Sequence, residues 1–302
     1  MSNSEQAMSD TRQDFWAEEF AKMRENSGHW TNDIVVQKYI YNLIGDTDAH
    51  WLPWLFHTYF SNIPSFSRVL SVGCGDGAHE IEMFRTGKVG YIRALDASPG
   101  AVETARARFA DEGVDPARYD FDVQDGSGFH VDGKYDLAMC ISAAHHIWDL
   151  DRLFLKIRDA LLPDAPFVLL EYIGPNRFQW TDAQIDVVNQ ILAALDPAYR
   201  ANGETGPLGR PDFEAMIAMD PTEAVRSEDI MPTLEKYFSV DYFRPHNGTV
   251  LHQLFPALNG DMSNKGRADF DTVVRLIILL ESLLIQKNIL PSDFAFIVCK
   301  AR

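Results

Sequence analysis

The sequence predicts an α/β fold, a doubly wound and mostly parallel sheet with helices on both faces, from three observations. Strand-like and helix-like segments alternate from Ser67 to Glu171. A short apolar run containing Val69, Leu70 and Val72 ends in a glycine turn, Gly73-Cys74-Gly75-Asp76-Gly77, and a turn poor in Cβ atoms lets backbone approach a ligand. A second apolar strand, Tyr91 to Leu95, ends in Asp96. Dinucleotide-type folds place a ribose-binding carboxylate there, about 20 residues beyond the glycines. A nucleoside-containing cofactor is the first implication.

The elements follow in order. Residues 1–62 form a helical arm. In it Phe15, Trp16, Phe20 and Met23, then Val36, Tyr39, Ile40, Leu43 and Ile44, recur at helical spacing. These side chains could dock the arm on the core or close it over the cofactor. Ser98 followed by Pro99 is a helix start, a hydroxyl cap and then a residue whose missing N–H costs nothing in the first turn. Ligands of such sheets bind beyond the carboxyl ends of the strands, so Gly73, Asp96, Asp125, Ser142 and Tyr172 should converge on one cleft. After Glu171 the alternation stops. Thr181 and Gln184 form a capping box for a helix with Ile185, Val188, Ile191, Leu192 and Leu195 on one face. A Gly/Pro-rich passage (202–211), a helix from Ser227 and a strand at Val240 to Arg244 come next. A detour, His246 to Leu290, holds the amphipathic helix Asp269 to Lys287, and Phe294 to Cys299 is the closing strand.

Lys and Arg total 27 against 44 Asp and Glu, a formal charge of −17, a field that disfavours nucleic-acid partners. Cys74, Cys140 and Cys299 form no C-x-x-C pair and suit buried thiols in a reducing compartment. The longest apolar stretch, Leu276 to Ile285, is interrupted by Glu281 and Ser282 and falls short of the about 20 residues a membrane span requires. The expectation is a soluble, cytoplasmic protein with no membrane partner.

The stretch RVLSVGCGDGAHE, Arg68 to Glu80, resembles motif I of class I S-adenosylmethionine (SAM) dependent methyltransferases. ALDASP (Ala94 to Pro99), Gln124-Asp125, YDLAMCISAAHHI (Tyr135 to Ile147) and LFLKIRDALLPDAPFVLLE (Leu153 to Glu171) resemble later parts of that family. The resemblance covers Ser67 to Glu171 and resumes weakly at Ser227 to Arg244 and Asp293 to Arg302. It implies a Rossmann-like methyltransferase domain over 63–302, with an antiparallel last strand and cap insertions at about 172–226 and 246–291. It also implies SAM as cofactor and a methyl group passed to a small-molecule or saccharide acceptor, most directly a hydroxyl. On this resemblance Gly73, Cys74, Gly75, Asp76 and Gly77 meet the cofactor's amino-acid end, Asp96 the ribose and Asp125 the adenine, with Ala97, Gly126 and Ser142 beside them. Ser71 departs from the motif, which usually carries an acid there, leaving Asp76 or groups outside the core for that task. Two other functions fit parts of the pattern. Gly73, Gly75 and Ala78 also satisfy the G-x-G-x-x-A form of a nicotinamide-dependent oxidoreductase, although no Tyr-x-x-x-Lys pair accompanies it. The Ser71 departure also suits a non-catalytic binding subunit.

Methyl transfer is an in-line displacement. It requires a positioned nucleophile, exclusion of water and sometimes removal of a proton, and no metal. His145 and His146, just after the fourth strand, are candidate bases or cofactor-shaping residues; no third ligand is spaced near them for a metal. Glu171 could orient a hydroxyl, accept its proton, or pair with Arg177 or Arg226. Tyr172, Asn176, Arg177, Arg226 and His252 are the candidate acceptor-binding residues. The helix Asp269 to Lys287 is a candidate surface for a homo-oligomer.

Overall fold

In the computed structural model, residues 29–126, 128–201 and 206–302 are described; Phe15, Trp16, Phe20, Met23 and residues 202–205 lie outside them. Seven strands form one sheet: β1 Phe66–Val72, β2 Val89–Asp96, β3 Tyr119–Val123, β4 Leu137–Ile141, β5 Pro166–Tyr172, β6 Phe238–Pro245 and β7 Phe294–Ala301. Their spatial order is β3-β2-β1-β4-β5-β7-β6. The first five pair in parallel, and β7 runs antiparallel to both β5 and β6. Side chains alternate across a strand. Accordingly Val69, Leu137, Met139 and Ile141 fall in one buried cluster, and Leu70, Val72, Ala138 and Cys140 in the other. Every residue of β4 is buried because helices cover both faces, which is why the strand reads as unbroken apolar sequence.

The helices are α1 Ile34–Gly45, α2 Trp51–Trp54, α3 Ala78–Arg85, α4 Pro99–Asp111, α5 Leu150–Ala160, α6 Asp182–Ala194, α7 Phe213–Met219, α8 Ile230–Tyr237, α9 Leu251–Leu254, α10 Gly260–Asn264 and α11 Ala268–Gln286. Ser98 caps α4 through the Ala101 N–H, with Pro99 in the first turn, and Thr181 with Gln184 forms the capping box of α6. The helix expected from Ser227 begins as a 3-10 turn, Ser227–Asp229, and becomes α-helical at Ile230.

The segments outside the alternating core hold one another. The Gln184 amide donates to the Thr249 hydroxyl (2.7 Å) and the Asp293 carboxylate (2.9 Å), joining α6 to the detour and to the start of β7. Trp30 is buried, 5.0 Å from the Phe294 ring. The Tyr39 hydroxyl on α1 lies 2.5 Å from Ser282 and accepts from Asn247. The detour therefore provides the floor on which α1 rests.

Inside this layer Glu281 is fully buried and accepts the N–H groups of Val250 (2.7 Å) and Leu251 (3.0 Å). Burial outweighs those bonds and pushes its carboxyl up to about 7. Its folded value lies above the ordinary one, so its contribution to stability is complete below about pH 4 and is withdrawn as pH rises through 7. Wild-type stability should fall by on the order of 2–4 kcal/mol from this group between pH 4 and pH 8. Denaturant melts of Glu281→Gln should be flatter over that range; equal slopes would show that another group governs it.

Candidate active site

The order of the strands reverses between β1 and β4, and a cavity of about 450 Å³ opens at the carboxyl ends of the strands there. Switch points of open α/β sheets are where ligands enter, and this volume falls within the usual small-molecule range. Gly73, Cys74, Gly75, Asp76, Asp96, Ala97, Asp125, Gly126 and Ser142 all line it. Of the residues expected to meet a cofactor, Gly77 does not. It caps α3 with φ +74°, where an added Cβ would meet the Ala105 Cβ at 2.9 Å. Val123, Trp148 and Thr222 also line the cavity without having been singled out, beside Gln124 and Ile147 from the family-like segments.

Asp96 organises the mouth of the glycine turn. One oxygen accepts the Gly75 N–H (2.8 Å), the other the Ser98 N–H (2.9 Å). Burial pushes its carboxyl up, and the N–H bonds from Ser98 and Gly75 oppose that. Each oxygen keeps acceptor capacity for a further donor such as a hydroxyl. Gly73 has φ +75°, and a Cβ there would lie 2.2 Å from that of Ala143. The turn and the loop after β4 therefore touch backbone to side chain. Ser142 itself is in the left-handed region, φ 51°, a conformation that costs a non-glycine residue energy and clusters at functional sites.

The missing acid at Ser71 has a local answer. Glu80, in the first turn of α3, is buried and accepts from the Ser71 hydroxyl at 2.6 Å. Burial lifts its carboxyl to about 7, and its second oxygen has no protein partner. Asp76, the alternative considered from sequence, is committed to Arg108 (2.6 Å). The clue was present in the sequence as an apolar helix face interrupted by one glutamate, but nothing in the pattern said that it would fold back on the strand.

Opposite the turn stands a polar cluster. His146 lines the cavity; His145 lies against it, its ring tilted by 41° with centroids 4.1 Å apart. His145 Nδ1 is hydrogen-bonded to Glu171, whose other oxygen accepts the N–H groups of Ala143 (3.0 Å) and Ala144 (2.7 Å). Glu171 therefore pairs with His145 and neither with Arg177 nor with Arg226. From the segment after α7, Glu223 places its carboxylate 3.5 Å from His145 Nε2 and 3.9 Å from His146 Nε2. Thr222 lies 3.4 Å from His146 Nδ1 and donates to Asp220 (2.7 Å). Burial opposes charge on His145, but the charge and hydrogen bond of Glu171, with Glu223 and Asp220, outweigh it and raise the imidazole to about 9. Burial and then the charge on His145 hold His146 well below its ordinary value.

The expected acceptor-binding residues do not line this cavity. Tyr172, also expected to converge on the cleft, is buried among Phe178, His252 and Phe294. His252 lies inside that aromatic box, and burial lowers its imidazole to about 3. The Arg177 guanidinium donates to the backbone carbonyls of Asp220, Pro221 and Glu223, tying the turn after β5 to the Glu223 segment. Asn176 bonds Glu228, and Arg226 bonds Asp229 and the Trp148 carbonyl. These residues shape the wall; they do not face the space. Linear proximity to the end of β5 suggested otherwise, because it cannot show which way a turn points.

Residues 69–164 match a family model described as a methyltransferase domain. An uncharacterized methyltransferase, YcgJ, of Bacillus subtilis is 28% identical over 136 residues, 44% of this chain and 49% of that protein. A malonyl-acyl-carrier-protein O-methyltransferase of Ilyobacter polytropus is 28% identical over 133 residues, 44% of this chain and 45% of its own length. The chain thus spans about half the length of the relatives it matches. A solved phosphoethanolamine N-methyltransferase of Haemonchus contortus, in complex with SAM, has a TM-score of 0.51 at 15% identity over 88% of this chain and 56% of that one, a likeness of fold. The glycine turn and the strand order thus accompany a match to the methyltransferase domain over residues 69–164, where the chain is similar to SAM-dependent methyltransferases.

Proposed function

We propose that this chain binds SAM in the cavity at the strand ends and transfers its methyl group to a hydroxyl of a small molecule or saccharide. The carrying observation is the convergence of the glycine turn, Asp96 and Asp125 on one space that His146 also lines, with the His145–Glu171 pair packed behind His146. The turn would meet the amino-acid end, Asp96 the ribose and Asp125 with Gly126 the adenine. His145, His146 and Glu171 form the wall against which the acceptor is oriented. The bound cofactor would supply the methyl group and take back the electron pair of its carbon–sulfur bond, and His146, held neutral at the cavity wall, would accept the hydroxyl proton. Tyr172, Asn176, Arg177, Arg226 and His252 support the wall from behind. The residues preceding β1 and the insertions after β5 and β6 act as its cap.

Two further features bear on partners. Leu276, Leu279, Leu280 and Leu283 are exposed along α11, a stripe that supports association with a second copy. Among the described residues no helix is long and apolar enough to cross a membrane.

Calorimetric titration with S-adenosylhomocysteine tests the cofactor, and absence of heat at millimolar ligand would end the reading. With an acceptor in hand, His146→Ala should slow turnover by about 100- to 10,000-fold, the range for a positioned proton-transfer group. Its affinity for S-adenosylhomocysteine should change only a few-fold. Undiminished turnover would remove His146 from the mechanism.

A further inference from the structure

The sequence offered no third ligand beside the two histidines, but the fold supplies one. Among the described residues, one donor atom from each of His145, His146 and Glu223 lies within 4.8 Å of the others. Glu223 Oε1 lies 3.5 Å from His145 Nε2, and its Oε2 lies 3.9 Å from His146 Nε2. Ligands about 2.1 Å from a tetrahedral zinc stand about 3.4 Å apart, so small side-chain rotations close the set on an ion. Two imidazoles and one carboxylate are a donor set for zinc, iron or cobalt, and less for magnesium or calcium.

The groups behind these atoms are the second observation. Metal-bound imidazoles engage their other nitrogen with a carboxylate or similar acceptor, which fixes the ring and raises its basicity. His145 has that arrangement with Glu171, itself fixed by two backbone N–H groups. The Nδ1 of His146 lies 3.4 Å from Thr222 and 3.7 Å from Asp220 Oδ2. Asp220 is 6% exposed, and that oxygen has no hydrogen-bond partner. Three carboxylates, Glu171, Asp220 and Glu223, face two cations, the Arg177 guanidinium and the His145 imidazole, so one negative charge is left over. Burying unbalanced carboxylates is costly, and a bound cation offsets it.

We propose that His145, His146 and Glu223 bind a divalent transition-metal ion at the acceptor end of the cavity, with Glu171 and Asp220 orienting the two imidazoles. His146 and Thr222 line the cavity, so an ion held here keeps open positions toward the space where an acceptor oxygen would sit. This deepens the proposed transfer reaction and rests on it for the identity of the ion's fourth partner, but binding of the ion does not require SAM.

The test is calorimetric titration of chelator-treated full-length protein with zinc chloride and, separately, cobalt chloride, the latter also followed by its visible absorption. One equivalent per chain should bind, with tetrahedral or five-coordinate cobalt bands. Glu223→Gln should weaken binding by at least tenfold, and Glu171→Gln by about 10- to 100-fold, the range for loss of a group that orients a ligand. Circular dichroism and S-adenosylhomocysteine affinity monitor the fold of both variants. Failure of both metals to bind above surface background, or binding indifferent to Glu223→Gln, would overturn the proposal and leave His146 as the direct proton acceptor. Metal binding without any response to S-adenosylhomocysteine would instead sink the cofactor assignment and leave the ion site standing.

Discussion

Asp96→Ala should lower affinity for S-adenosylhomocysteine by at least about 100-fold, measured by calorimetry. A hydrogen bond to a charged group is worth about 1.5–3 kcal/mol, and a ribose bound in the proposed pose would present two hydroxyls to this carboxylate. The substitution also releases the Gly75 and Ser98 N–H groups, so the turn itself loosens. Asp96→Asn separates the two effects. Its oxygen can still accept one of those N–H groups, but its amide cannot accept from the other or from a second hydroxyl. It should therefore bind with intermediate affinity and near-native stability. If Asp96→Ala binds as the wild type does, the ribose does not lie at this strand end, and the proposed pose of the cofactor is wrong.

Gly73→Ala should be the most damaging single-methyl change in the chain. At φ +75° any side chain is strained, and the new Cβ would lie 2.2 Å from the Cβ of Ala143. Left-handed strain costs about 1–3 kcal/mol and overpacking about 1–3 kcal/mol more. Relief requires the turn and the loop after β4 to part, which moves both the floor of the cavity and the chain leading to His145. The measured result should be a loss of about 2–6 kcal/mol in denaturant melts, with cofactor affinity lost even where the protein stays folded. Gly87→Ala is the control: its φ is +72°, but nothing lies within 4 Å of the added methyl. It should show the backbone cost alone and bind normally. Equal behaviour of the two variants would mean that contact with Ala143 is unimportant.

The parallel core was legible because its signals are local. A strand buried on both faces reads as an apolar run, and β4 does so without interruption. A turn that brings backbone to a ligand advertises its glycines, and a helix start advertises its cap, as Ser98-Pro99 and Thr181 with Gln184 do. Asp96 could be placed because its role depends on its position at the end of one strand. By contrast, Ser71 and Glu80 meet through the fold of one turn onto the strand before it, and the sequence suggested only that an acid was missing.

The wall of the cavity lies further from what sequence can show. Nothing in the spacing of residues joins His145 and His146 to Glu223, or turns Tyr172 and His252 inward to an aromatic box while Thr222 faces the cavity. Sequence alone determined the sheet, the glycine turn and the carboxylate at its edge, because periodicity and backbone conformational preference act over a few residues. Tertiary structure decided which polar side chains share the far wall, because that depends on how the insertions after β5 and β6 pack, and packing joins residues by shape and burial irrespective of their distance along the chain.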